Sequence, residues 1–291
     1  MIDFKERLRR PEILVAPGVF DPLGAWFAAR AGFEAIYLSG ASIAYTQLGQ
    51  ADIGLVTASE VEATIGRIRD RVDLALVVDA DTGYGNALNV QRTVRHFERA
   101  GANAIQLEDQ TLPKRCGHLE GKTLVAAGEM IGKIKAALDA RASAATAIVA
   151  RTDAIAVEGF DAALDRAAAY AAAGADVLFV EAPRTREQLA EVGKRLGNRA
   201  PLMANMVEGG KTPLLSGPEL ERLGFSFVIF PSGLARAVAH TMEGYFATLK
   251  NDGTTQAFRP QMFDFDTLQD RLGTAALLEH GKRYDADRFT R

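Results

Sequence analysis

The sequence predicts one closed barrel of eight parallel strands alternating with helices, the (β/α)8 class of α/β fold. Three observations predict it. Four segments repeat one pattern, a helical stretch stopped at a glycine and followed by an apolar run with a polar end: RAGFEAIYLSG (30–40), RAGANAIQLED (99–109), AAGADVLFVEA (172–182) and RLGFSFVIFPS (222–232). Four further runs have strand length: ILVAPGVF (13–20), LALVVDAD (74–81), AIVARTD (147–153) and PLMANM (201–206). None of these runs alternates apolar with polar residues, as expected for strands covered on both faces of a parallel sheet.

The elements follow in order. MIDFKERLRR is charged from Asp3 onward with no apolar stretch behind it, so it reads as no leader, and KERLRR (5–10) reads as a solvated helix face. After the first strand comes a helix at 21–31, with Trp26 expected in the core. Helix-compatible segments at 59–71, 89–100, 128–140, 160–173, 185–196 and 216–223 separate the later strands. Gly32, Gly101, Gly174 and Gly224 stand where a left-handed residue ends a helix. Ala167 to Ala173 has the small-residue bias of a good helix former. A doubly wound sheet is the competing architecture, but neither GxGxxG nor GxxxxGK[ST] occurs after a strand. Two stretches break the rhythm, 41–58 after the second strand and 110–127 after the fourth, and long connections in a compact domain usually carry function. The barrel is expected to occupy 1–253, its last helix running over about 233–251. The extension 254–291 carries Phe258, Met262, Phe263, Phe265 and Leu268, which need apolar surface to pack on.

Charge excludes some partners. Lys and Arg total 34 against 37 Asp and Glu, for a net charge of -3, which gives no reason to expect nucleic acid or an anionic membrane. No run reaches the roughly 20 apolar residues of a membrane span, so a soluble, cytoplasmic protein is expected. One cysteine, Cys116, allows no internal disulfide.

Polar residues cluster where the strands end. Ser39-Gly40, Asp79-Ala80-Asp81, Glu108-Asp109, Arg151-Thr152-Asp153, Glu181 and Asn205, with Glu208 just after, all fall at C-terminal strand ends, which converge on the catalytic mouth of a barrel. Any one of these acids would serve as a solvated helix cap. Together they would repel one another unless a cation neutralised them. All are oxygen ligands, which suits Mg²⁺ or Mn²⁺ better than zinc. His96, His240 and His280 lie in or beside helical patterns and read as surface or packing residues. Cys116 lies in PKRCGHLEGK (113–122), where Lys114, Arg115 and His118 would favour its thiolate and the loop reads as a basic lid.

The motifs YLSG (37–40), DADTGYGN (79–86), LEDQ (107–110), KRCGH (114–118), ARTDA (150–154), VEA (180–182) and ANMVEGGKTP (204–213) occur in order at barrel spacing. In that combination the chain resembles the isocitrate lyase/phosphoenolpyruvate mutase superfamily from PEILVAPGVFD (11–21) to FPSG (230–233). Within it the chain resembles methylisocitrate lyases, 2,3-dimethylmalate and 2-alkylmalate lyases, and carboxyvinyl-carboxyphosphonate phosphorylmutases. The last two groups share EGGKTP. Methylisocitrate lyases usually have phenylalanine at the position of Gly209, a departure that counts against a methylisocitrate substrate.

The resemblance implies Mg²⁺, replaceable by Mn²⁺, on Asp79 with Asp52, Asp81 and Glu108 directly or through water. It implies Ser39, Gly40 and Ala41 on the carboxylate of a 2-hydroxy or 2-oxo acid, and Gly117, His118, Glu181, Asn205 and Glu208 around the rest of the substrate. Arg151 would clamp the oxyanion, Cys116 would be the acid, Tyr37 would stabilise charge beside the metal, and Glu108 would be catalytic as well as a ligand. The implied activity is a carbon–carbon lyase that cleaves a 2-hydroxy dicarboxylate to a 2-oxo acid and a carboxylate. Phosphonomutase chemistry and oxaloacetate hydrolysis or decarboxylation are the alternatives on the same scaffold. The resemblance also implies a homotetramer, a dimer of dimers, with C-terminal helices swapped between subunits.

Overall fold

A computed structural model describes residues 3–289. By internal contacts the chain divides into two compact units, one ending at Arg236 and one beginning at Ala237. The division falls earlier than the expected 253/254 boundary, inside a single long helix.

The first unit is a closed barrel in which each strand pairs in parallel with the next and β8 returns to β1. Short α1 (Phe4–Arg7) precedes β1 (Leu14–Val19), α2 (Pro22–Arg30), β2 (Ala35–Leu38) and α3 (Gly40–Ile43). Then come α4 (Ala58–Arg69), β3 (Ala75–Asp79), α5 (Ala87–Ala100), β4 (Ala104–Glu108), α6 (Ala127–Ala140) and β5 (Ala147–Thr152). The circuit continues through α7 (Phe160–Ala172), β6 (Val177–Val180), α8 (Arg186–Leu196), β7 (Leu202–Asn205), α9 (Gly217–Arg222) and β8 (Phe227–Phe230). All eight expected strands form, and the helices lie within a residue or two of the expected segments.

Strand side chains alternate between two cores. Ile36, Leu38, Leu76, Val78, Ile105, Leu107, Ile148 and Leu178 face the helices. Leu14, Ala16, Ala35, Tyr37, Ala75, Val77, Ala104, Val149, Phe179, Met203 and Phe227 fill the barrel interior. This period of two explains why no strand alternates in hydropathy, because both faces are dry.

The N-terminal segment corrects its expectation. Phe4 and Leu8 belong to the interior cluster, with Phe4 edge-on to Phe227 at 5.5 Å. Arg7 is buried against Glu34 and the Glu12 carbonyl, and Lys5 pairs with Asp176. Phe4, Arg7 and Leu8 are therefore buried, while Glu6, Arg9 and Arg10 keep one face of the segment solvated. Phe4→Ala is expected to cost about 3–5 kcal/mol. Urea unfolding followed by circular dichroism would read it, with activity per folded molecule unchanged.

The long helix α10 (Gly233–Asp252) passes from the first unit into the second, which also holds α11 (Phe265–Leu272) and α12 (Thr274–Gly281). Phe258 is buried within that unit, edge-on to Tyr245 at 5.6 Å. Met262, Phe263, Phe265, Leu277 and Leu278 are exposed. Among the described residues no helix is long and apolar enough to cross a membrane.

Candidate active site

Inward-facing residues at or just past the ends of β2 to β8 open into one cavity of about 260 Å³. Tyr37, Asp79, Glu108, Arg151, Glu181 and Asn205 line it, and each lies two residues beyond a buried position on its own strand, such as Val77 before Asp79 and Phe179 before Glu181. Ser39, Ala41, Asp52, Cys116, Gly117, His118 and Glu208 also line it. Gly40 stands behind this wall, where a Cβ would come 3.3 Å from Asp79 Oδ2.

The same alternation removes one expected acid. Asp109 points outward between β4 and α7, where its carboxylate accepts from Thr152 Oγ1, Tyr170 Oη and the Asp153 backbone N–H. Arg166 lies 3.3 Å away. Successive strand residues face opposite sides, so Glu108 and Asp109 cannot both reach the mouth.

The two long insertions build the roof. Ser39 caps α3, a π-helical turn spans Ala44–Leu48, and the chain then places Asp52 so that its carbonyl accepts from the Cys116 backbone N–H at 3.2 Å. The DADTGYGN turn needs left-handed backbone at Asp81, Gly83, Tyr84 and Gly85. Such a conformation at the non-glycine Asp81 marks strain of the kind that collects at functional sites.

Asp79 Oδ1 accepts from the Asp81 backbone N–H at 3.1 Å and from Gln106 Nε2 at 3.3 Å. Tyr37 donates its hydroxyl to Gln106 Oε1 at 2.9 Å, and burial with nearby Asp79 raises its pKa well above the phenol range, so it remains a neutral donor. Lys114 is buried with its ammonium 2.5 Å from Asp52 Oδ1 and 2.8 Å from Asp81 Oδ1. Burial opposes that charge, but Asp81 and Asp52 outweigh it and hold the pKa well above the ordinary lysine value. The four expected metal ligands thus gather around an ammonium. Among the described residues no three acid, histidine or cysteine side chains already form a metal cage.

Burial raises the Asp81 carboxyl to about 7 despite Lys114, with Asp79 adding to the rise. Burial likewise lifts Glu108 well above the carboxylate range, although Arg151 Nε lies 3.3 Å from Oε2. Arg151 is fixed by Asp153, which accepts from Nε at 2.8 Å and Nη2 at 3.0 Å, and its guanidinium lies 5.2 Å from the Phe179 ring centroid.

At the far wall Asn205 Nδ2 donates to both oxygens of Glu181, at 3.3 and 3.1 Å. His118 Nδ1 accepts from the Lys211 N–H, which leaves the proton of a neutral ring on Nε2, 3.2 Å from Glu181 Oε1. Burial lowers the histidine pKa and so favours that neutral ring. Glu208 is held by Arg236, which donates to its carbonyl at 2.7 Å and to Oε2 at 3.2 Å.

Cys116 overturns the expected thiolate. Burial raises its pKa, outweighing the lowering by the His118 backbone N–H that donates to the sulfur, and Asp52 adds to the rise. Lys114 turns to the carboxylates and Arg115 donates to the Glu120 carbonyl, so neither cation serves the sulfur. The thiol stays protonated through neutral pH. Its alkylation rate is therefore expected to keep climbing from pH 7 to 9 without levelling off. Iodoacetamide kinetics followed by mass spectrometry would show it, and a plateau near pH 7 would contradict it.

Sequence reasoning missed Gln106, Lys122 and Arg236, and it read Lys114 as the activator of Cys116. Gln106 left a signal, a polar residue inside an otherwise apolar strand. Arg236 left none, because a cationic residue in a helix start is ordinary.

Comparison with known proteins gives a consistent picture. The family described as phosphoenolpyruvate phosphomutase matches residues 4–250. The 2,3-dimethylmalate lyase of Eubacterium barkeri is 42% identical over 286 residues, covering 98% of each chain. The 2-methylisocitrate lyase of Aeropyrum pernix is 45% identical over 269 residues, covering 92% of this chain and 86% of its own. Among solved structures, a phosphonopyruvate hydrolase complex with oxalate and Mg²⁺ superposes with a TM-score of 0.87 at 29% identity, covering 97% of this chain and 98% of that one. With the barrel, the motif order and this breadth of match agreeing, the chain belongs to the phosphoenolpyruvate mutase/isocitrate lyase superfamily.

Proposed function

We propose that the protein is a Mg²⁺-dependent lyase that cleaves the C2–C3 bond of a 2-alkylmalate, of the 2,3-dimethylmalate type, to a 2-oxo acid and a carboxylate. The observation that carries this reading is a half-buried thiol, its pKa raised by burial, sharing one small cavity with Arg151 and a group of carboxylates. Likeness to the 2,3-dimethylmalate lyase over nearly the full length of both chains supports the substrate class.

The residues fit a hard dication. Glu108 Oε1 is buried with no hydrogen-bond partner among the described residues, and neighbouring carboxylates raise the proton affinity of both Asp81 and Glu108, which a dication would relieve. Magnesium needs only one or two carboxylates besides water and substrate oxygens, so Asp79 and Glu108 suffice, with Asp52 and Asp81 acting through water. When bound, the ion neutralises this group and polarises the substrate's 2-oxygen and adjacent carboxylate.

The rest falls to the chain's own groups. Ser39, Gly40 and Ala41 hold the substrate's first carboxylate at the start of α3. A cavity carboxylate not holding the ion takes the 2-hydroxyl proton. The electron pair left on that oxygen forms the carbonyl as C2–C3 breaks, and the bonding pair passes to C3 as the enolate of the departing carboxylate. Arg151 and the neutral Tyr37 phenol stabilise the negative charge. Cys116 gives its proton to C3, and the resulting thiolate regains one from water. Asn205, His118 and Glu208 line the space for the departing carboxylate.

A panel of 2-methylmalate, 2,3-dimethylmalate, methylisocitrate, oxaloacetate and phosphonopyruvate, each with Mg²⁺ and a 2-oxo acid readout, tests the reading. Release of 2-oxo acid from the alkylmalates is expected. Turnover of phosphonopyruvate alone would overturn it.

We also propose a homotetramer in which the exposed apolar residues of 254–291, Phe265 and Leu277 among them, pack on a neighbouring subunit. Light scattering on a sizing column is expected to give four times the chain mass of 31.3 kDa. A stable monomer at micromolar concentration would refute the arrangement.

A further inference from the structure

The loop from Gln110 to Leu124 is closed at its base, where those two residues form an antiparallel bridge and the Thr111 N–H donates to the Thr123 carbonyl at 2.9 Å. Just inside this neck sits Lys122, whose side chain is only 1% exposed. Its ammonium donates to the Gly117 carbonyl at the loop tip and lies 3.3 Å from Asp153 Oδ1 on the barrel. Asp153 is the same carboxylate that grips Arg151 through Nε and Nη2, and its own backbone is pinned by Asp109. The tip rests on Arg151 from the other side as well. A Cβ on Gly117 would fall 2.4 Å from Glu181 Oε1 and 2.5 Å from Arg151 Nη2, so only glycine seats there.

We propose that Lys122 is a positioning residue that latches the 110–124 loop to the Arg151–Asp153 pair, so that the loop holding Cys116 closes only over a correctly placed Arg151. A buried ammonium is tolerable only while its acceptors are in place. Lifting the loop removes the Gly117 carbonyl from Lys122 and weakens its hold. Replacing Lys122 leaves that carbonyl enclosed without a donor, which favours the lifted, hydrated loop. The activity arm of the test rests on the lyase reading, and the alkylation arm does not.

The test compares the parent with Lys122→Met, Lys122→Arg and Gly117→Ala in the full-length protein. Cys116 alkylation by iodoacetamide at fixed pH is measured with and without oxalate and Mg²⁺, together with kcat, KM and thermal melting. Lys122→Met is expected to alkylate roughly tenfold faster, as for loss of one charged hydrogen bond, and to lose protection by oxalate. Its kcat should fall by about 10²-fold, as for an acid no longer positioned, with KM changed by less than about threefold. Lys122→Arg should recover part of both. Gly117→Ala, which unseats the tip and the ammonium's carbonyl acceptor while leaving Lys122 in place, should give the same faster alkylation, and it keeps the idea testable if Lys122→Met does not fold. A parental alkylation rate in folded Lys122→Met, or in Gly117→Ala, would overturn the latch, as would a raised KM at unchanged kcat. If the parent turns over no alkylmalate, the lyase reading fails while the alkylation result still decides the latch.

Discussion

Asp79→Ala is expected to lower turnover by about 10³-fold or more, since metal-assisted charge stabilisation supplies several kcal/mol and each 1.36 kcal/mol is tenfold. Chelator treatment of the parent should give the same loss and added Mg²⁺ should reverse it, whereas the variant should not respond. The fold should survive. Asp79 stands at the cavity wall, and its removal leaves the Asp81 backbone N–H and Gln106 Nε2 without an acceptor, at about 1 kcal/mol each. Against this, a buried carboxylate that raises its neighbour's pKa is gone, and Asp81 should ionise more readily. Circular dichroism melting close to the parent's, combined with metal-insensitive residual activity, is the expected pair of results. Full activity in metal-free parent protein would sink the metal site.

The same alternation that made the barrel legible also limited what could be read of the site. Glycine-stopped helices and unbroken apolar runs predicted all eight strands, because burial on both faces is a property of each strand alone. Polar strand ends located the mouth for the same reason. Which polar residues enter the mouth is a matter of parity, and parity was readable, yet Glu108 and Asp109 were grouped together although one faces the cavity and the other faces Tyr170. Charge interactions across loops were not readable. Lys114 is two residues from Cys116 in sequence, but its ammonium lies against Asp52, brought in from a different insertion. Lys122 joins Asp153 of another strand end in the same way. The N-terminal charges failed through the same kind of non-local contact, since Glu34 and Asp176 reach Arg7 and Lys5 only once the barrel has closed.

Cys116→Ala is expected to cut kcat for an alkylmalate by at least about 10²-fold, the usual loss for a positioned general acid. The affinities for Mg²⁺ and for oxalate should stay near the parent's, because Asp79, Arg151 and the α3 turn are untouched by the change. Cys116→Ser keeps a protonated group of similar shape but a far weaker acid, so it should rescue little, which separates acidity from packing. Removing the sulfur costs little stability, as the residue lies in a loop and is only half-buried. Lyase and phosphonate chemistry part at this residue. Breaking C2–C3 leaves an electron pair on carbon that must be protonated before it recombines with the oxo acid. Phosphoryl transfer leaves no such carbanion and depends on positioning and charge stabilisation. A variant that loses alkylmalate cleavage but binds oxalate normally would therefore place the thiol in the protonation step. A variant that keeps phosphonate turnover, from a parent inactive on every alkylmalate, would make Cys116 a spectator and remove the lyase assignment while leaving the barrel and its carboxylate site intact.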